Sequence, residues 1–209
     1  MKTKALKRLF NLTIAFCIVS LTFSLLYRAL IDLCVYHLGM GNHPQVDNIS
    51  SIIEITVYPV GIFNISYTIL LLVLGVIFIN KHHQSRLPQI AGIIFLTSIF
   101  LNVCRMVFAS FAIDSFMNND YILFPSIQLL FSIAFLLFAI FYKSRVMCVT
   151  GLTYLILHML HLLFINIYDG FLWHSYIMYT SVDLILLSLA FVSELACLFC
   201  WKNQEMSKV

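Results

Sequence analysis

Charge, glycine and proline are all scarce in this sequence. Of its 209 residues only 10% are charged and 62% are hydrophobic, and the mean hydropathy is +0.99. A soluble domain of this size could not stay in solution with that balance, so the composition indicates an integral membrane protein. Glycine occurs 7 times and proline 4 times, which is few for a transporter, because transporter sites are commonly built from broken helices.

Motifs for chemistry are absent as well. The chain has no glycine-rich phosphate loop, no G-x-S-x-G and no H-E-x-x-H, so nothing in it predicts an enzyme. The 6 cysteines are scattered through apolar runs and imply no disulfide framework. A net charge of only +3 gives no indication of nucleic-acid binding. We therefore expect no catalytic residue, no metal, no cofactor and no direct contact with nucleic acid.

Long apolar runs are what the sequence does contain. Six of them are long enough to cross about 30 Å of hydrocarbon, which takes about 20 helical residues. The runs are long and do not alternate, so they predict helices rather than barrel strands. The sequence thus predicts an all-α, polytopic six-helix membrane bundle that forms one domain over residues 1–209, with spans at about 9–36, 55–80, 88–113, 120–142, 146–168 and 174–201.

The basic residues between the runs predict the orientation. The first, third and fifth connectors contain no Lys or Arg, whereas the start of the chain, the second and fourth connectors and the tail all do. By the positive-inside rule, the basic side is cytoplasmic. Both termini are therefore expected in the cytoplasm, and the protein in the inner (plasma) membrane. The basic residues on this side are Lys2, Lys4, Lys7, Arg8, Lys81, Arg86, Lys143, Arg145, Lys202 and Lys208.

Two charges stand inside the first run, in the stretch "LLYRALIDL". An ionisable side chain inside a span costs several kcal/mol unless it is paired or faces a polar cavity. Arg28 and Asp32 are four residues apart, share a helix face and can neutralise each other. The sequence therefore predicts that this face is turned towards protein and not towards lipid.

Each of the other runs also has a polar residue at a similar level. Counted from the outer end of each span, these residues lie about 13 Å deep at 1.5 Å per residue. One interpretation is a ligand-binding chamber that opens to the outer face, and the other is a structural layer in which Arg28–Asp32 and Arg105–Asp183 are buried pairs. The candidate residues are Arg28, Asp32, Asn64, Arg105, Gln128, His158 and Asp183.

Glu194 and the histidines of "LHMLHL" are further intramembrane candidates. Glu194 lies on the same helix face as Asp183, three turns deeper, and is expected either to be protonated or to be reached by Lys81, Lys143 or Lys202. Paired histidines can ligate haem or a metal. We instead interpret His158 and its neighbour as hydrogen-bonding side chains of the chamber.

In general form, with the short basic start "MKTKALKRLF", a length near 200 residues, short connectors and no catalytic motif, the chain resembles the small polytopic membrane subunits of bacterial phage-defence systems, such as the membrane component of the Kiwa system. The resemblance implies a membrane sensor of phage attack that works with a separate soluble effector. The six predicted spans depart from the four assigned to that component. Membrane immunity proteins against pore-forming toxins have the same general form.

The predicted function is therefore a non-enzymatic membrane sensor or interaction subunit of phage defence or immunity. We expect it to be a homo-oligomer in the lipid bilayer, and to signal to a cytoplasmic protein encoded nearby. The partner would contact the cytoplasmic connectors at His82, His83, Gln84 and Lys143. The alternative is a protein that binds or transports a small anionic or zwitterionic solute through the intramembrane Arg, Asp and His layer.

Overall fold

A computed structural model of the protein describes residues 3–32, 44–111, 113–168 and 176–207, and over these ranges the chain forms six helices and no strand. Among the described residues, five helices are long and apolar enough to cross a membrane, and the fourth helix contributes a shorter apolar stretch, Ser126–Tyr142. The predicted fold class, an all-α membrane bundle, is confirmed. The helices are α1 (Thr3–Asp32), α2 (Pro44–Lys81), α3 (Arg86–Phe111), α4 (Ile113–Tyr142), α5 (Arg145–Tyr168) and α6 (Tyr176–Ser207).

Several helices extend beyond the apolar runs from which they were predicted. α2 begins at Pro44, whereas its apolar run begins near residue 55, and α6 continues to Ser207 past a run that ends near residue 201. A helix needs satisfied backbone hydrogen bonds and not apolar side chains, so polar turns can continue it into the interfacial region. Hydropathy locates the part of a helix that is in hydrocarbon, and the helix itself is longer.

The helices form a closed ring in chain order. Each helix packs against the next one along the chain, and α1 also packs against α6, which closes the ring. α4 makes a smaller contact with α6 across the interior. The inward faces carry the buried side chains, while large apolar residues such as Ile62, Ile93 and Val192 are more than half exposed on the outside. In a bilayer, those outward faces meet lipid.

The connection from α4 to α5 is short and well defined. Lys143 has a positive φ of 54°, and the Ser144 and Lys143 amides donate to the carbonyls of Ala139 and Ile140. This pattern is the Schellman motif that ends many helices. The Met147 amide donates to Ser144 Oγ at 3.3 Å, so Ser144 caps the start of α5.

The basic connectors and both described chain ends lie at one end of the ring. Phe10 of α1 packs on Trp201 of α6 at 5.2 Å between ring centroids. Gln204 Nε2 donates to Ser144 Oγ at 3.3 Å, and the side chain of His82 contacts Glu205. These contacts bring the start of α1, the end of α6 and two connectors together, as the shared charge of those segments predicted. We call this the basic end.

Candidate functional site

The inner face of α6 organises the interior of the ring. Asp183, Glu194, Trp201 and Glu205 are all buried, and their spacings along the chain are close to whole helical turns. They therefore follow one face of the helix from its outer half to the basic end. Each is the centre of a separate group of contacts.

The first group surrounds Asp183, which is 3% exposed. Its carboxylate lies 3.3 Å from Nη2 of Arg28 and 2.6 Å from Nε2 of His161. Two basic side chains from α1 and α5 thus converge on one buried carboxylate of α6. We call Arg28, His161 and Asp183 the outer cluster.

The outer cluster corrects the predicted pairing of Asp183 with Arg105. Arg105 is on α3, which is not a neighbour of α6 in the ring, whereas α1 and α5 are. The prediction matched residues by depth, and depth does not determine which helices lie side by side. The predicted Arg28–Asp32 pair cannot be compared, because the side chain of Asp32 lies outside the described residues.

His158 lies one turn from His161 on the same face of α5 and is 1% exposed. Its ring meets the ring of Tyr154 edge-on, with centroids 4.6 Å apart. Neither ring nitrogen of His158 has a hydrogen-bond partner in the described part of the chain. In the same part, no group of three or more His, Cys, Asp or Glu side chains could hold a metal ion.

The second group surrounds Glu194 near the middle of the bundle. Its carboxylate accepts a hydrogen bond from the Tyr67 hydroxyl of α2 at 2.6 Å. The Tyr154 hydroxyl of α5 lies 3.2 Å from the other carboxylate oxygen and 2.6 Å from Gln128 Oε1 of α4. We call Tyr67, Gln128, Tyr154 and Glu194 the middle cluster.

The predicted site residues include neither tyrosine of the middle cluster. For Glu194 the sequence predicts either protonation or a lysine partner, and Lys81 contacts Glu205 instead. Spacing places Tyr154 on the face of His158 and His161, but no spacing distinguishes Tyr67 from the other tyrosines. Asn64, another candidate, lies one turn before Thr68 and is hydrogen-bonded to Ser20 of α1. It therefore joins α1 to α2.

A small cavity adjoins the middle cluster. Its volume is about 30 Å³, which is room for a water molecule or a small ion. Asn102 Oδ1 is buried and has no hydrogen-bond partner among the described residues, and it belongs to a residue of the cavity wall. The lining residues are Tyr67, Thr68, Leu71, Ile99, Asn102, Gln128, Phe131 and Glu194.

Aromatic rings fill the interior between the middle cluster and the basic end. Trp201 is fully buried, and its ring centroid lies between 5.0 and 6.1 Å from those of five phenylalanines of α1, α2, α3 and α4. The indole N–H of Trp201 lies within this packing and has no hydrogen-bond partner among the described residues. We call the group the aromatic plug; it consists of Phe10, Phe78, Phe95, Phe135, Phe138 and Trp201.

The last group surrounds Glu205 at the basic end. Its carboxylate contacts Lys81 Nζ at 2.6 Å and His82 Nε2 at 2.9 Å, and accepts a hydrogen bond from the Tyr142 hydroxyl. Glu205 is 3% exposed. We call these four residues the basic-end cluster, and it ties the ends of α2, α4 and α6 together.

The basic-end cluster separates the four predicted partner-contact residues into two kinds. His83, Gln84 and Lys143 are exposed, as a contact surface requires. The side chain of His82 is only 13% exposed and packs on the rings of Phe78 and Phe141. The expectation that His82 is exposed is wrong, because the Glu205 carboxylate and these rings hold it inside.

In comparisons with known proteins, no protein-family model matches the chain, and no curated protein or solved structure is significantly similar to it.

Proposed function

We propose that this protein is a non-enzymatic sensor subunit of a bacterial inner membrane that signals to a cytoplasmic partner protein. The observation that supports the proposal best is the inner face of α6. One helix contributes Asp183 to the outer cluster, Trp201 to the aromatic plug and Glu205 to the basic-end cluster. A change at the outer cluster that shifts or rotates α6 would therefore move the basic end as well.

Transport of an anionic or zwitterionic solute is the second candidate function. The two guanidinium groups of Arg28 and Arg105 in the outer half of the bundle favour it, since a planar guanidinium binds carboxylate or phosphate well. The aromatic plug opposes it. Below the middle cluster the described interior is filled with rings in close contact, and the indole N–H of Trp201 alone could not replace the hydration of a polar solute on its way to the basic end.

The defence setting is part of the proposal and is supported by the resemblance in general form to phage-defence membrane subunits. In that setting the gene of a soluble effector is expected beside the gene of this protein. A neighbouring ATPase or metabolic gene would instead support the transport function. The partner would bind the exposed side chains of the basic end, which are His83, Gln84 and Lys143.

A topology experiment tests the orientation on which the proposal depends. Because the basic connectors lie at one end of the ring and basic residues are retained in the cytoplasm, reporter fusions after Lys81, Arg145 and Val209 should report cytoplasm. Fusions near Asn48, Asn118 and Asp169 should report the outer side. One fusion of the first three reporting the outer side would refute the orientation.

The partner surface is tested by replacing the exposed connector residues. A variant with His83→Ala, Gln84→Ala and Lys143→Asn should keep normal abundance, because these side chains are exposed and asparagine tolerates the positive φ at position 143. Co-purification with the product of the neighbouring gene should fall by about tenfold or more, the effect of removing contacts worth about 1.4 kcal/mol.

His82→Ala is the matched control for that variant. It removes a side chain held by Glu205, so it should lower abundance rather than spare it. A different outcome would favour transport: connector variants that remain active, while Arg28→Lys and Arg105→Lys are inactive at normal abundance. Lysine keeps the charge and loses the planar fork.

A further inference from the structure

The wall of the cavity beside the middle cluster includes three oxygens that can still accept, from Tyr67, Thr68 and Asn102. The hydroxyl proton of Tyr67 is donated to Glu194, and that of Thr68 to the Asn64 carbonyl at 2.7 Å. Both hydroxyl oxygens then have only lone pairs left for the cavity. Asn102 Oδ1 is a buried acceptor that receives no proton in the described part of the chain. The chemical complement of such a wall is a cation.

The charge of the cavity is set by one carboxylate. Glu194 is 4% exposed, and no described Lys, Arg or His lies within salt-bridge distance of it; the basic groups in such contacts are those at Asp183 and Glu205. The hydrogen bond from Tyr67 offsets only part of the cost of an ionised carboxylate buried there without a counter-charge. A single positive charge in the cavity would neutralise it, and a doubly charged ion would leave an excess charge.

We propose that the cavity is a binding site for a small monovalent cation such as sodium. The cation would be coordinated by the carboxylate of Glu194 and by the oxygens of Asn102 and Tyr67, since hard cations prefer oxygen ligands. A volume of about 30 Å³ accommodates such an ion with at most about one water. It does not accommodate an amino acid or a phosphate.

A bound cation would connect four helices at one level. The cavity wall takes residues from α2, α3, α4 and α6, and α2 and α6 are not sequential neighbours in the ring. Occupancy would therefore stabilise the folded bundle. The inference goes beyond the sensor proposal and does not depend on it, because cation binding can be measured on the purified protein without a partner.

The test is thermal unfolding of the purified full-length protein in detergent. Sodium, potassium or ammonium chloride replaces choline chloride at constant ionic strength and pH. We expect the midpoint to rise by about 5–10 °C when one of the small cations reaches roughly a hundred times its dissociation constant. The salt that raises the midpoint at the lowest concentration identifies the ion that the cavity binds best.

Two variants locate the effect in the cavity. Glu194→Gln keeps the shape of the side chain and removes its charge, and it should weaken the apparent cation affinity by at least about a hundredfold, or about 2.8 kcal/mol. Asn102→Leu removes one oxygen ligand and should weaken the affinity by about tenfold, or about 1.4 kcal/mol. Ser193→Ala is the matched control on α6, because its hydroxyl donates to the Leu189 carbonyl and does not line the cavity. It should retain the full response.

Two results would overturn the site. The first is one midpoint in all four salts, and the second is an undiminished cation response in both Glu194→Gln and Asn102→Leu. If the common midpoint of the first result depends on pH, the neutralising charge is a proton. If Glu194→Gln fails to fold, the titrations of the wild-type protein and of Asn102→Leu still decide whether the cavity binds a cation.

Discussion

Replacing Arg28 with alanine is expected to destabilise the folded bundle by about 3 kcal/mol, the lower end of the range for breaking a buried ion pair. The lower end applies because the side chain of Arg28 is 40% exposed, whereas that of Asp183 is 4% exposed. The cost arises from Asp183, whose buried carboxylate would lose a charged partner and keep, among the described residues, its contact with His161. Unfolding by a denaturing detergent, followed by circular dichroism, measures the change.

Double-mutant cycles distinguish the observed pair Arg28–Asp183 from the pair Arg105–Asp183, which was predicted from depth alone. Arg28→Ala together with Asp183→Ala should be less destabilising than the sum of the single changes, with a coupling above about 1 kcal/mol. The matched cycle between Arg105 and Asp183 should show a coupling below about 0.5 kcal/mol. Strong coupling to Arg105 and none to Arg28 would contradict the outer cluster, in which Asp183 contacts Arg28 of α1.

Replacing Trp201 with alanine is expected to cost about 3–5 kcal/mol, the usual range for deleting a fully buried tryptophan side chain. Its ring is in contact with phenylalanines from four other helices, and these rings cannot all move inward to fill the space. Trp201→Phe keeps an aromatic ring and should cost clearly less. The measurement is the same detergent unfolding, supported by the amount of protein recovered from membranes.

Phe199→Ala is the control for Trp201→Ala. Phe199 is two residues away on α6 and is 44% exposed, so its removal leaves the plug intact and should change stability by less than about 1 kcal/mol. Similar losses for the two alanine variants would show that the plug is not the core of the basic half. A large loss of stability for Trp201→Ala alone would confirm that Trp201 lies on the inward face of α6 and Phe199 does not.

The fold class could be read from the sequence because the bilayer imposes it. A long run without charges must be helical in hydrocarbon, since an unpaired backbone group is too costly there. The helix ends could not be read in the same way, because α2 and α6 continue through polar turns. The grouping of the connectors at one end was predictable, as their basic residues share one requirement, the cytoplasmic side.

The side-chain clusters were only partly predictable. The sequence singled out Asp183 and Glu194 because charges are rare in spans, and both are buried centres of contacts. Their partners depended on the ring order, which hydropathy does not contain. Nothing in the sequence distinguished Tyr67, and the spacing of Tyr154 placed it only on the face of His158 and His161. Glu205 was overlooked because it follows the last apolar run, where a charge is ordinary, yet it is buried by Lys81, His82 and Tyr142.

The contact between α1 and α6 has a consequence for biosynthesis. The membrane receives α1 before α6, so Asp183 is made on the order of 150 residues after Arg28, which is about 8–30 s at 5–20 residues per second. The ion pair between them can form only after α6 has been inserted. A chain arrested before α6 therefore presents Arg28 to the membrane without that carboxylate.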